Sequence, residues 1–169
     1  MASTTKLVAG TLGSGLTWAT IGFTTTDFNS LANGSCVVAS SAVDNSSALD
    51  LWGEVSFSFV VGGTTLATSQ FDLYWLPLNQ DGTTYGDGTA TGSTPPTASY
   101  RVGYASVKSG VTSGNAVTGT FRSLDGPGNQ LWLPPGSGKF SVANQLGVAL
   151  NATASAAIKA RFFDLNLNG

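Results

Sequence analysis

Along most of this chain apolar and polar residues alternate with a period of two, the spacing of a strand with one buried face. The clearest run is Leu49–Val61. There Leu49, Leu51, Val55, Phe57, Phe59 and Val61 alternate with Asp50, Trp52, Glu54, Ser56, Ser58 and Val60. Gly53 falls in the buried register, which predicts a bulge or a close approach by a neighbour. Gly62-Gly63 closes the strand with a turn. The same pattern predicts strands at Ser35–Val43, with Cys36 and Val38 on one face, and at Phe71–Leu76, ended by Pro77. Tyr100–Val107 is expected to place Tyr100, Val102 and Tyr104 on one face and Arg101 on the other. Ala116–Ser123 is expected to turn Val117 and Phe121 inward and Arg122 outward. Leu131–Leu133, Lys139–Asn144, Gly147–Leu150 and Ala156–Leu165 complete the set. In the last, Ile158, Ala160 and Phe162 alternate with Lys159 and Arg161. Between the strands lie the Asp81-Gly82 and Asp87-Gly88 turns, an exposed loop over 86–98, and a tight turn at 125–128. No long window carries helical periodicity. Many short strands separated by Gly, Asn, Asp and Pro predict an all-β fold with little helix. Unequal loops favour a jelly-roll-like antiparallel β-sandwich over an immunoglobulin-like one.

The first thirty residues read differently. The stretch from Leu7 to Thr26 has no charge and resembles a signal peptide or a membrane span. A span needs about 20 predominantly apolar residues, and this stretch is broken by Gly10, Gly13, Gly15, Gly22 and many Thr and Ser. The unbroken apolar run that a signal peptide needs is absent as well. Residues 1–30 are therefore expected to form an extended N-terminal arm with one or two short strands, and residues 31–169 a single β-sandwich body. Leu16, Trp18, Ile21 and Phe23 would pack on the body or on a neighbouring subunit. A free tail of this composition would expose much apolar surface. Trp18, Ile21 and Phe23 are accordingly expected to lie in an interface with another subunit, with Trp18 and Phe23 as its anchors.

Composition narrows the chemistry. Only 9% of residues are charged, against about 25% in globular proteins. Their place is taken by 20 Ser, 21 Thr and 22 Gly. The 17 aromatic residues argue against disorder. Seven scattered basic residues at net charge −2 do not suit a phosphate backbone, so no nucleic-acid partner is expected. Histidine is absent and cysteine occurs once, at Cys36. The common zinc sites, a Ser-His-Asp triad and an internal disulfide are thereby excluded within one chain. No cofactor and no membrane association are expected. Cys36, in an apolar strand, reads as a core residue.

Three constellations merit weighing. Asn79–Gly88 resembles a calcium loop in composition, but Asp81 and Asp87 are its only carboxylates, too few for a cation that takes six to eight oxygens. Two Asp-Gly turns are the simpler reading. Asp50, Glu54 and Asp72 could share a sheet face as a carboxylate pair for glycoside hydrolysis, but a solvated face explains them as well. Trp52, Tyr74, Trp75 and Trp132 lie on or beside strands. They could stack on sugar rings, although aromatics at such positions more often belong to a core or an interface.

Two blocks resemble small structural proteins of tailed bacteriophages. One is Phe71-Asp-Leu-Tyr-Trp-Leu-Pro-Leu-Asn-Gln-Asp-Gly-Thr-Thr-Tyr-Gly-Asp-Gly88. The other runs from Leu131-Trp-Leu-Pro-Pro through Lys139-Phe140 to Asn144-Gln-Leu-Gly-Val-Ala-Leu-Asn151. Each block is a strand with its turn, so the likeness concerns fold and brings no catalytic residues. It implies a non-enzymatic virion protein on the outer surface of the head, a decoration (cement) protein whose partner is the major capsid protein. A homotrimer is the assembly expected, because capsids offer three-fold positions. The rival reading is a carbohydrate- or receptor-binding module of a tail fibre or cell-surface protein. A tail-tube or connector protein is a third.

Overall fold

The computed structural model describes residues 4–9, 17–47, 50, 52–88, 94–125 and 128–168, with only the backbone path for 4–9 and 164–168. The strands are β1 (Thr4–Ala9), β2 (Ala19–Thr20), β3 (Cys36–Val38), β4 (Val43–Asp44), β5 (Trp52–Val60) and β6 (Gln70–Pro77). They continue with β7 (Arg101–Ser106), β8 (Ala116–Thr120), β9 (Arg122–Ser123), β10 (Leu131–Trp132), β11 (Ser137–Gln145) and β12 (Ala157–Asn168). Among the described residues the only helical turn is a 3-10 turn at Ala98–Tyr100. No helix there is long and apolar enough to cross a membrane.

Two antiparallel sheets pack face to face. In the first, β12 lies between β5 on one side and β1 and β2 on the other, while β5 takes β8 and β10 on its far edge. In the second the order is β3-β11-β6-β7-β9, with β4 also on β11. The first sheet thus runs β2-β12-β5-β8 and the second β3-β11-β6-β7, so early and late strands interleave in both. That is jelly-roll order, and the expected all-β sandwich is present.

The core follows the sequence pattern. Val55, Phe57 and Phe59 of β5 face Phe71, Leu73 and Trp75 of β6, and all are buried. On β12, Ile158, Ala160 and Phe162 are buried while Lys159 is exposed, as the alternation requires. Gly53 is a close approach: a Cβ there would meet the Phe162 ring at 3.0 Å and Leu133 at 3.2 Å.

Several expectations need correction. Ser35–Val43 is two short strands, β3 and β4, each paired to β11. Ala116–Ser123 divides at Phe121, so that β8 pairs β5 in one sheet and β9 pairs β7 in the other. Tyr100, Val102 and Tyr104 do not share a face. The β6–β7 register shifts between Leu73 and Tyr74, which leaves Val102 as an extra residue. Val102 packs on the core, and Tyr104 lies with Arg101 at 5.6 Å between ring centre and guanidinium. The loop over 86–98 is exposed at Asp87, Gly88, Thr94, Thr97 and Ala98, as expected, with Gly86 and Pro96 buried and Thr97 hydrogen-bonded to Asp87; positions 89–93 lie outside the described residues.

The largest correction concerns the arm. Ile21 and Phe23 are 6% and 8% exposed, inside the chain's own core. Phe23 packs at a tilt on Phe28, which meets Phe59 at 4.8 Å. Backbone bonds Ser30 N–H to Asn151 O (2.9 Å), Leu150 N–H to Leu31 O (3.0 Å) and Ala156 N–H to Thr25 O (3.2 Å) sew this segment to the approach to β12. Ile21, Phe23 and Phe28 belong to the same core cluster as the strands of the sandwich. Phe23→Ala should therefore destabilise the folded chain by about 3–5 kcal/mol. Urea unfolding monitored by tryptophan fluorescence would measure it, and wild-type stability would refute the placement. Gly138→Ala should also be costly, since its Cβ would lie well inside contact distance of the Trp75 indole. A loss of about 1–3 kcal/mol is expected in the same assay.

Candidate functional site

The outer face of the first sheet carries the site of most interest. Directly paired residues on antiparallel strands point to one face. Trp132 of β10 pairs with Trp52 of β5, and Trp52 with Phe163 of β12. Three aromatic positions thus form a row across three strands. Phe163 is buried, Trp52 is half-buried and Trp132 is 52% exposed. The next row holds Glu54 and Arg161. The Arg161 guanidinium donates to Glu54 Oε2 from Nε at 2.7 Å and from Nη2 at 2.5 Å. Its flat side lies 4.8 Å from the Trp18 ring, a cation–π arrangement. Of the three expected interface residues, Trp18 alone stays substantially exposed, at 37%.

At the seam between the two sheets Trp52 and Trp132 line a cleft of about 210 Å³ with Val102, Ser123 and Asp125. β10 supplies Trp132 from its edge position on β5, and the β9 end supplies Ser123. The Asp125 N–H donates to Ser123 Oγ at 3.2 Å, which fixes the start of the loop. Trp52, Trp132, Ser123 and Asp125 meet at this cleft from three stretches of sequence. Tyr74 and Trp75, the other two aromatics considered, are spent elsewhere. Trp75 packs edge-on against Phe140 in the core at 5.0 Å. Tyr74 lies buried with Cys36 and Ala143 on the outer side of the second sheet.

The acids do not form a catalytic pair. Glu54 is on the outer face of the first sheet, Asp72 belongs to the second, and Asp50 is buried ahead of β5. Asp72 accepts from Arg101 Nη2 at 2.7 Å and from Gln70 Nε2 at 2.9 Å. Burial nonetheless raises its pKa, because desolvation outweighs those partners. The Cys36 thiol is also pushed up by burial, with the Ser141 hydroxyl opposing weakly. Its Sγ lies 3.1 Å from the Thr94 carbonyl. A buried thiol with a raised pKa is a poor nucleophile.

The Asn79–Gly88 loop is closed by its own groups. Asp81 Oδ1 accepts from the N–H groups of Thr83 and Thr84 at 2.9 Å each, and Oδ2 from Thr84 Oγ1 at 2.6 Å. Asn79 Nδ2 donates to Thr84 Oγ1 and to Gly86 O. Gly82 and Gly88 take φ of +70° and +72°, as Asp-Gly turns require. Among the described residues no group of His, Cys, Asp or Glu is placed to hold a metal ion. The chain matches no family model, no curated protein and no solved structure.

The donors around Asp81 lower its pKa from 3.8 to about 2, led by the Thr84 hydroxyl and the two backbone N–H groups. A depressed folded pKa stabilises the loop above the unfolded value, and that support is lost as pH falls from near 4 toward 2. A carboxyl-carbon NMR titration should place the Asp81 midpoint at about 2. Thr84→Val should move it upward. A midpoint near 3.8 in the unaltered chain would contradict the loop geometry.

Proposed function

We propose that this chain is a structural virion protein of a tailed bacteriophage that binds the outer surface of the head as a decoration (cement) protein. One observation carries the reading. The two blocks that resemble such proteins, far apart in sequence, meet as neighbouring strands. β6 and β11 pair over eight successive positions, from Gly138–Pro77 to Gln145–Gln70. The turn motif 79–88 folds back onto them, with Gly86 against Leu76 and the Lys139 ammonium 4.8 Å over the Tyr85 ring. The likeness therefore describes one three-dimensional unit at the centre of the second sheet, as a shared fold requires.

The physical logic is binding and not catalysis. A protein that binds only the assembled lattice adds its binding free energy to the assembled state. Contacts repeated over a symmetric shell turn modest affinity into avidity. The carboxylates of Glu54 and Asp72 are engaged by arginines within the fold. The contact element favoured is the edge where β1 prolongs the first sheet. There β12 pairs with β5 only as far as Phe163, and its register with β1 runs on to Asn168. A two-stranded ribbon is marginal in water by itself, so a capsomer or a neighbouring copy lying against it would stabilise it. Trp18, beside this edge on Arg161, is the anchor that remains for such a contact.

The test mixes the purified chain with heads that lack it. Saturable binding and a higher temperature of head disruption are expected. Trp18→Ala should reduce affinity about tenfold or more, the usual scale for an interfacial Trp, with the thermal stability of the free chain little changed. Heads that take up none of the protein would overturn the reading.

A further inference from the structure

We propose that the cleft between Trp52 and Trp132 is a subsite for an uncharged sugar ring. The inference is independent of head binding, because it concerns a different edge and the free chain.

The lining has the two surfaces that a pyranose needs. One face of such a ring presents C–H groups, which pack on an indole; its rim presents hydroxyls, which need acceptors and donors. Trp132 and Trp52 supply the apolar walls, and Asp125 and Ser123 supply oxygens at the rim. Both indoles sit on paired strands, so their separation is set by the sheet and not by a loop. The volume of about 210 Å³ lies below the roughly 300–1,000 Å³ of drug-sized pockets, and so suits a single ring.

Charge selects among sugars. Asp125 is the one ionisable side chain in the lining. On the same sheet face Arg161 is held by Glu54 and lies against Trp18, and the exposed Lys159 stands two residues back along β12, outside the lining. A uronate, sialate or phosphorylated sugar would set its anion against Asp125 with no cation in the lining to pair it. A neutral ring has the carboxylate as a hydroxyl acceptor. Trp132, exposed as it is, also suits self-association of the chain, and the experiment separates that outcome.

The test follows the tryptophan indole N–H resonances of the free chain during titration. The probes are neutral hexasaccharides of β-1,4-glucose, α-1,4-glucose, mannose and galactose, with oligogalacturonate as the anionic control. At least one neutral probe should shift the Trp52 and Trp132 signals saturably, with Kd on the order of 1 mM for so small a site. Trp132→Ala should weaken binding about tenfold or more and Trp132→Tyr far less, since the tyrosine keeps an aromatic face. Asp125→Asn should weaken it several-fold, and oligogalacturonate should leave the signals in place. Trp132 is half-exposed, so each variant should melt like the parent; the Tyr and Asn variants test the site even if the Ala variant does not. The proposal is overturned if no neutral probe at up to about 20 mM moves these signals. It is equally overturned if the shifts persist in Trp132→Ala and Asp125→Asn, or if dilution alone reproduces them, which would assign the cleft to self-association.

Discussion

A connected run of phenylalanine rings holds the two sheets together, and most other features depend on it. Phe57 and Phe59 project from β5, and Phe71 from β6 opposite, with ring centres 5.3 and 4.6 Å apart across the sandwich. Phe121 extends the run on one side at 5.1 Å from Phe57, and Phe28 and Phe23 extend it on the other. All six are buried. Tilted aromatic pairs contribute about 0.5–1.5 kcal/mol each beyond their area burial. The ends of the run matter most, because they lie in segments with little strand pairing of their own. Residues 21–31 hold their place through Phe23 and Phe28, and the crossing from β8 to β9 holds its place through Phe121.

That crossing also creates the cleft. Phe121 N–H bonds to Val55 O at 2.9 Å in the first sheet, and Leu124 N–H to Val102 O at 3.1 Å in the second. A single stretch of chain thus closes the side of the sandwich by changing sheets. β10 then returns to the free edge of β5 beside it. The result places Ser123 and Asp125 against Trp132 and Trp52. The bulge at Val102 contributes by turning that residue toward the same seam.

Strands covered on one face were legible in the sequence. β5 and β12 show it along their middle: the outward Glu54, Ser56, Ser58, Lys159 and Arg161 are charged or hydroxylic, so the alternation survives in composition there. β6 is different. Asp72, Tyr74 and Leu76 point away from the core yet are buried: Arg101 and Gln70 engage Asp72, Tyr100 packs with the cluster of Tyr74 and Cys36, and Gly86 lies on Leu76. A period-of-two reading cannot see a second cover. The arm was legible only in part, for a related reason. Ile21 and Phe23 announce burial, but sequence does not say whether the same chain or another supplies the partner. Trp52 and Trp132 were each visible as candidates. Their adjacency was not, since it rests on the two-residue pairing of β10 with a distant strand.

The scarcity of charge has a structural counterpart. Beside the loops closed by Asp81 and Asp87, several connections here are fixed by neutral side chains that bond to backbone. Asn144, fully buried, donates to Leu31 O and Val148 O and accepts from Leu146 N–H, holding the turn after β11 and joining it to Leu31. Asn45 bridges Asp50 and Pro134 in the same manner. Thr65 and Ser69 tie the β5–β6 connection to Lys108, Val111 and Leu146. Such amide and hydroxyl bonds do not depend on ionic strength, unlike exposed ion pairs, which salt screens. They also leave the exterior nearly neutral, so copies of the chain placed side by side repel one another little. A fold anchored by aromatic rings and neutral hydrogen bonds can thus be crowded on a surface without the electrostatic penalty that a conventional charged exterior would bring.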